Sequence, residues 1–184
     1  MLGVQDFIGY YDWTFEYIRR NNGEEALRRY WKAIAFDSQQ HARKLILEKG
    51  FDGMYEYWSH TLEMEEAGYT IDQGEDYFRT DMFDCPSKGH LMRRGLEAYH
   101  DYCEHCMGWI KHLMDEAGFL IDTEHNHAGQ CWWEMHRVQD RKQKPSPPPN
   151  RGVHDVRNHP NWKQPKHHLF LDSEPVESGE DTES

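Results

Sequence analysis

The chain has 184 residues, 37% hydrophobic and 14% aromatic, with a formal charge of −12. That length supports one sizeable core plus an appendage, and the acidic balance argues against a general nucleic-acid binder, which would gather Lys and Arg against phosphates. The N-terminus lacks a basic region followed by an apolar run, and no segment approaches the roughly eighteen apolar residues of a membrane span, so a cytoplasmic protein with reduced thiols is expected.

Residues 4 to about 67 read as helical in three or four pieces. Phe7, Ile8, Tyr11, Phe15 and Ile18 recur at helical spacing until Asn21-Asn22-Gly23 breaks the pattern. Glu24-Glu25 opens a second helix, with acids at its positive end and Leu27, Tyr30, Trp31 and Ile34 on one face. A third helix carries Leu45 and Ile46 and stops at Lys49-Gly50, where glycine suits a left-handed end. The fourth runs from about 53 to 67, with Tyr55, Trp58 and Leu62 inward and Gly68 as its stop. These aromatics read first as core.

After Gly68 the period changes to that of strands. Residues 69–72 and 77–83 form a hairpin through Gln73-Gly74-Glu75-Asp76, and Cys85-Pro86 ends the second strand. From Gly95 to Ala117 the spacing predicts one long helix, with Leu96, Tyr99, Cys103, Cys106, Ile110, Leu113 and Ala117 on its buried stripe and His100 near it. Residues 119–124 and 130–138 then make a second hairpin. The sequence therefore predicts a single α+β domain over residues 1–140: a helical N-terminal half and an antiparallel sheet of two hairpins around one long helix.

Residues 141–184 form a tail, Pro- and His-rich at first and acidic from Asp172 onward. Its prolines cannot continue a sheet, so it is expected to be largely extended or disordered. Trp162 and the cluster at Leu169, Phe170 and Leu171 would dock on the parent domain or on a protein partner, or would remain in solvent.

All four cysteines fall between Cys85 and Cys131, and the last closes the run Glu124-His125-Asn126-His127-Ala128-Gly129-Gln130-Cys131-Trp132-Trp133. Strand alternation puts Cys131, Trp133 and Met135 on one face and Trp132, Glu134 and His136 on the other. Three readings compete. The thiols can be small buried hydrophobes. Cys103 and Cys106 plus Cys131 or Cys85, with His127 or Glu124 as an additional ligand, can hold zinc or iron. Or Cys131 can be a nucleophile with His127 as its base and Asn126 or Glu124 as orienter. A thioredoxin-like role is disfavoured because Cys103 and Cys106 are expected about two turns inside the helix rather than at its start. A redox switch would need Cys131 or Cys85 as the partner. Trp132 or Trp133, whichever faces away from the thiols, would roof a small-molecule pocket beside Asn126. His125 and His127 would point to one side if their segment stays extended, and a turn there would separate them.

Residues 81–86, the segment Tyr102-Cys103-Glu104-His105-Cys106 and the closing His127-Ala128-Gly129-Gln130-Cys131-Trp132-Trp133 together resemble the L-2-amino-thiazoline-4-carboxylic acid hydrolase-like family over roughly residues 20 to 138. They are also reminiscent of the vinyl-4-reductase ligand-binding domain, with its zinc-binding cysteines and acid beside a small-molecule pocket. The resemblance implies that Cys85, Cys103 and Cys131 match the family's cysteines and that the site opens carbon–nitrogen or carbon–sulfur bonds of a cyclic isothiourea. Here the turn is tighter than the family's, and Cys106 and the Pro-rich tail are additions.

The expectation is a small hydrolase or lyase acting on a sulfur- or nitrogen-containing small molecule. Cys131 would be nucleophile or metal ligand and His127 would move the proton. The alternative is a metal-stabilised ligand-binding module, or an accessory subunit of a larger enzyme.

Overall fold

Gly23, at φ +83°, divides the first helical stretch into α1 (Val4–Asn22) and α2 (Glu24–Ala33). The computed structural model describes residues 4–140; the tail 141–184, with Trp162 and Leu169, lies outside the described residues. Along α1 the buried positions are Ile8, Asp12, Phe15 and Glu16, a three-to-four spacing, whereas Phe7, Tyr10, Tyr11, Trp13 and Tyr17 are exposed. The expected inward placement of Phe7 and Tyr11 is thus corrected: a buried acid, Asp12, occupies the middle of the stripe. A short π-helical turn, Ile34–Ser38, leads from α2 into α3 (Gln40–Lys49), followed by α4 (Phe51–Met64).

α4 buries Phe51, Met54, Trp58 and Leu62, while Tyr55 points to solvent and not inward. It crosses α3 closely at Gly53, where a Cβ would stand 2.0 Å from the Leu45 carbonyl oxygen. The strands β1 (Gly68–Gln73), β2 (Tyr77–Asp84), β3 (Phe119–His125) and β4 (Cys131–Arg137) form one antiparallel sheet in the order β1-β2-β4-β3. Both expected hairpins are present, joined through β2 and β4 by pairs such as Phe78 with Met135, Thr80 with Trp133 and Met82 with Cys131. With helices on the face that bears these residues, the fold is α+β.

The single long helix from 95 to 117 is not what forms. A short helix, α5 (Lys88–Arg94), ends at left-handed Gly95, and α6 begins only at Glu104 (Glu104–Ala117). Between them the Asp12 carboxylate accepts the backbone N–H groups of Ala98 at 2.6 Å and Tyr99 at 2.9 Å. A buried carboxylate from α1 thereby takes donors that a helix would have left at its own N-terminus. Leu96 and His100 are accordingly exposed.

Two cores result. The larger packs α3, α4 and α6 on the sheet through Met54, Trp58, Phe78, Ile110, Ile121, Trp133 and Met135. The smaller gathers α1, α2, α5 and the 95–103 segment around Phe15, Leu27, Trp31, Leu91, Tyr99 and Tyr102. Among the described residues, no helix is long and apolar enough to cross a membrane.

Candidate functional site

The four cysteines do converge. Cys85 follows β2, Cys103 caps α6, Cys106 lies in its first turn, and Cys131 opens β4; all four line one cavity of about 30 Å³, together with His125, Lys88 and Trp133. That space suits a water or an ion, not an organic substrate. None of the cysteines is in a disulfide. Burial pushes the Cys85 thiol up to about 11 and Cys106 up to about 12, and it raises Cys103 and Cys131 as well. Backbone N–H groups partly offset this at Cys85, whose sulfur accepts the Lys88 N–H at 3.3 Å.

These thiols are protonated at neutral pH, the opposite of what a nucleophile needs. The geometry also replaces the reason for doubting a thioredoxin-like pair. Cys103 and Cys106 do sit at a helix start, but loss of water outweighs the helix field that would activate them.

The densest constellation of ligand-type atoms lies beside the cavity, in the β3–β4 turn. Among the described residues, one group of three has donor atoms that all lie within 4.8 Å of one another: Glu104, His125 and His127. His125 ends β3 and is 4% exposed. Its Nε2 is 3.4 Å from Glu104 Oε1, at the first position of α6. Neither ring nitrogen of His125 makes a hydrogen bond among the described residues.

The segment does turn at Asn126, yet the two imidazoles come together rather than apart. His127 adopts φ +58°, and its ring lies 4.2 Å from that of His125, nearly perpendicular. A non-glycine residue held in the left-handed region is a strained position that surrounding contacts must enforce. Asn126 supplies them: its Oδ1 accepts the backbone N–H of Ala128 at 2.8 Å and of Gln130 at 3.1 Å, and its Nδ2 donates to Gln130 Oε1. Gly129, at φ +83°, lets its carbonyl accept the Cys85 N–H at 2.9 Å, tying the turn to the thiol layer. Asp101 Oδ1 stands 3.8 Å from His127 Nδ1, within ion-pair reach but too far for a hydrogen bond.

The remaining expected residues divide by face. Trp133 lines the thiol cavity and packs against Trp58. Trp132 and Glu124 project from the opposite side of the sheet, where Trp132 Nε1 donates to Glu124 Oε2 at 3.1 Å. Neither can serve Cys131 or His127, and Asn126 braces the turn. Sequence reasoning did not select Glu104, His125 or Asp101 as site residues. The available signal was His-x-His across a turn, with acids at the start of the helix facing it.

Two larger spaces flank the constellation. A cleft of about 380 Å³ between α2 and α6 is lined by Arg28, Trp31, Tyr99, Lys111, Asp101 and Glu104. A groove of about 410 Å³, lined by Phe15, Tyr57, Trp58, Trp109 and Trp133, reaches Cys85 and Cys106 from the other side. Two imidazoles and a carboxylate suit zinc or ferrous iron, and the 3.4 Å from nitrogen to oxygen matches the edge of a tetrahedron with bonds of about 2.0–2.1 Å. Comparison with known protein families, curated proteins and solved structures finds no match for this chain. The likeness to the hydrolase-like family rests on the sequence motifs alone.

Proposed function

We infer that the protein is a small metal-assisted hydrolase whose ion is held by Glu104, His125 and His127. The observation that carries this reading is the triad itself, with Glu104 and His125 buried and His127 partly so, and with the His125 ring nitrogens making no hydrogen bond among the described residues. Three protein ligands leave coordination open, the hallmark of catalytic rather than structural sites. A bound zinc or iron ion would polarise the substrate and bring the pKa of a coordinated water toward 7.

Glu104 borders the open cleft, so substrate approaches there, and the volume of about 380 Å³ limits it to a small molecule. Asp101 lines the same cleft and is the base we assign to the attacking water. Arg28 and Lys111 at its walls orient a polar or anionic substrate. The scissile bond, carbon–nitrogen or carbon–sulfur, follows from the sequence likeness. The four thiols form the adjoining wall and remain neutral. Cysteines without disulfides suit a reducing compartment, which favours the cytoplasm.

The test is elemental analysis of freshly purified protein. Near-stoichiometric zinc or iron is expected, lost in His125→Ala and Glu104→Gln and retained in Cys131→Ser. A metal-free parent, or loss in Cys131→Ser with retention in His125→Ala, overturns the triad. Release of amine or thiol from small cyclic isothioureas and amides should then fall at least a hundredfold in Asp101→Asn with metal content unchanged.

A second reading, a metal-stabilised ligand-binding module, is favoured by the aromatic groove against Cys85 and Cys106. Metal retention with no turnover of any such substrate, together with quenching of tryptophan emission by small aromatic ligands, would select it.

A further inference from the structure

The groove of about 410 Å³ takes its walls from both cores: Phe15 and Tyr102 come from the smaller, Trp58 and Trp133 from the larger. A space of that size walled by ring faces admits one small organic molecule. Its hydroxyl groups are already engaged. Ser87 and Tyr102 share a hydrogen bond of 2.6 Å, and Tyr57 donates to Gln39 Oε1 at 3.1 Å.

Two other polar groups of the lining are not. Trp133 is 4% exposed, yet its Nε1 makes no hydrogen bond among the described residues. A buried donor left so is costly, and an acceptor atom on a ligand relieves it. Glu65, the residue that ends α4, keeps contact with water but also faces the groove, since its charge raises the thiol of Cys106 and the hydroxyl of Tyr57, both of which line it. No cation acts on Glu65 among the described residues: partial loss of water alone raises its carboxyl. The groove has no Lys or Arg in its lining, and burial pushes His105 down to about 4, so that ring is neutral at pH 7.

We propose that the groove binds a small arylalkylamine, its ammonium paired with Glu65, its ring packed among the aromatic walls, and an acceptor atom taken by Trp133 Nε1. An ammonium suits both kinds of wall, because a cation is attracted to a carboxylate and to the negative face of an indole or phenol ring alike. An anion of the same shape meets repulsion from Glu65 and finds no guanidinium or ammonium to hold it. This names the ligand class for the binding-module reading, on which it rests, and it leaves the metal triad to its own chemistry.

The test is calorimetric titration of the full chain near neutral pH with tyramine, which carries the ammonium, the ring and a phenolic oxygen. One tyramine per chain is expected, with para-ethylphenol and phenethylamine each at least about threefold weaker and para-hydroxyphenylpropionate showing no heat of binding. Glu65→Gln should weaken tyramine by at least about threefold, with far-ultraviolet circular dichroism kept, and should erase its advantage over para-ethylphenol. Equal affinity for tyramine, para-ethylphenol and the propionate, or an unchanged affinity in Glu65→Gln, would leave an aromatic ligand site and overturn the amine. Phenethylamine as tight as tyramine would remove the contact to Trp133 and overturn the proposal as stated. No heat with any of the four ligands would overturn the amine and the ligand-binding reading together.

Discussion

Glu16 shows how strongly one side chain can depart from its free behaviour in this fold. Arg19 donates to it at 2.8 and 2.9 Å and Arg20 joins from the next turn, and these contacts hold its carboxyl at about 2, against the opposing effect of burial. Its unfolded value is about 4.5, so the folded state binds the proton later than the unfolded chain does. The resulting stability is fully present above pH 4.5 and is lost as pH falls through about 2. Both arginines keep contact with water, with side chains 32% and 71% exposed, which screens the pair. Glu16→Gln is therefore expected to cost about 0.5–1 kcal/mol at pH 6 and nothing near pH 2, read from urea midpoints across that range. A difference that stays constant with pH would assign the loss to packing.

At the scale of elements, the α3–α4 corner depends on one missing side chain. A Cβ on Gly53 would meet the Leu45 carbonyl oxygen at 2.0 Å, and a backbone atom cannot swing aside. Gly53→Ala should push the helices apart at a cost of about 3 kcal/mol, lowering Tm by on the order of 10 °C. A shift under about 2 °C in calorimetry would mean that the corner is looser than its backbone implies. The four strands and the first four helices were legible because hydrophobic period and glycine stops agree along them. The start of α6 was not, since Leu96, Tyr99 and Cys103 continue a helical period that a tertiary hydrogen bond from Asp12 overrides. The shared face of Cys131, Trp133 and Met135 was readable from strand alternation. The His125–His127 pairing was not, because it depends on a left-handed backbone at His127 that Asn126 stabilises and no periodicity announces.

Across the whole molecule, the site sits where the two cores meet. α6 contributes Glu104 to the triad, Cys106 to the thiol cavity and Ile110 to the larger core, while the preceding segment carries Asp101 to the cleft and Tyr99 and Tyr102 to the smaller core. The placement of Glu104 therefore depends on how residues 95–103 are anchored, and the polar part of that anchor is Asp12, 2% exposed on α1. Removing its carboxylate leaves the N–H groups of Ala98 and Tyr99 without their acceptor, at about 1–3 kcal/mol for each such group. Asp12→Ala is expected to destabilise the protein by about 2–4 kcal/mol, with Asp12→Asn, which keeps one acceptor oxygen, losing less. Hydrogen exchange at amides 98 and 99 should accelerate in the alanine variant well beyond that of the sheet amides. If the sheet exchanges in parallel with them, the two cores unfold as one unit; if neither stability nor exchange changes, Asp12 does not hold the start of α6 and the triad is positioned by other contacts.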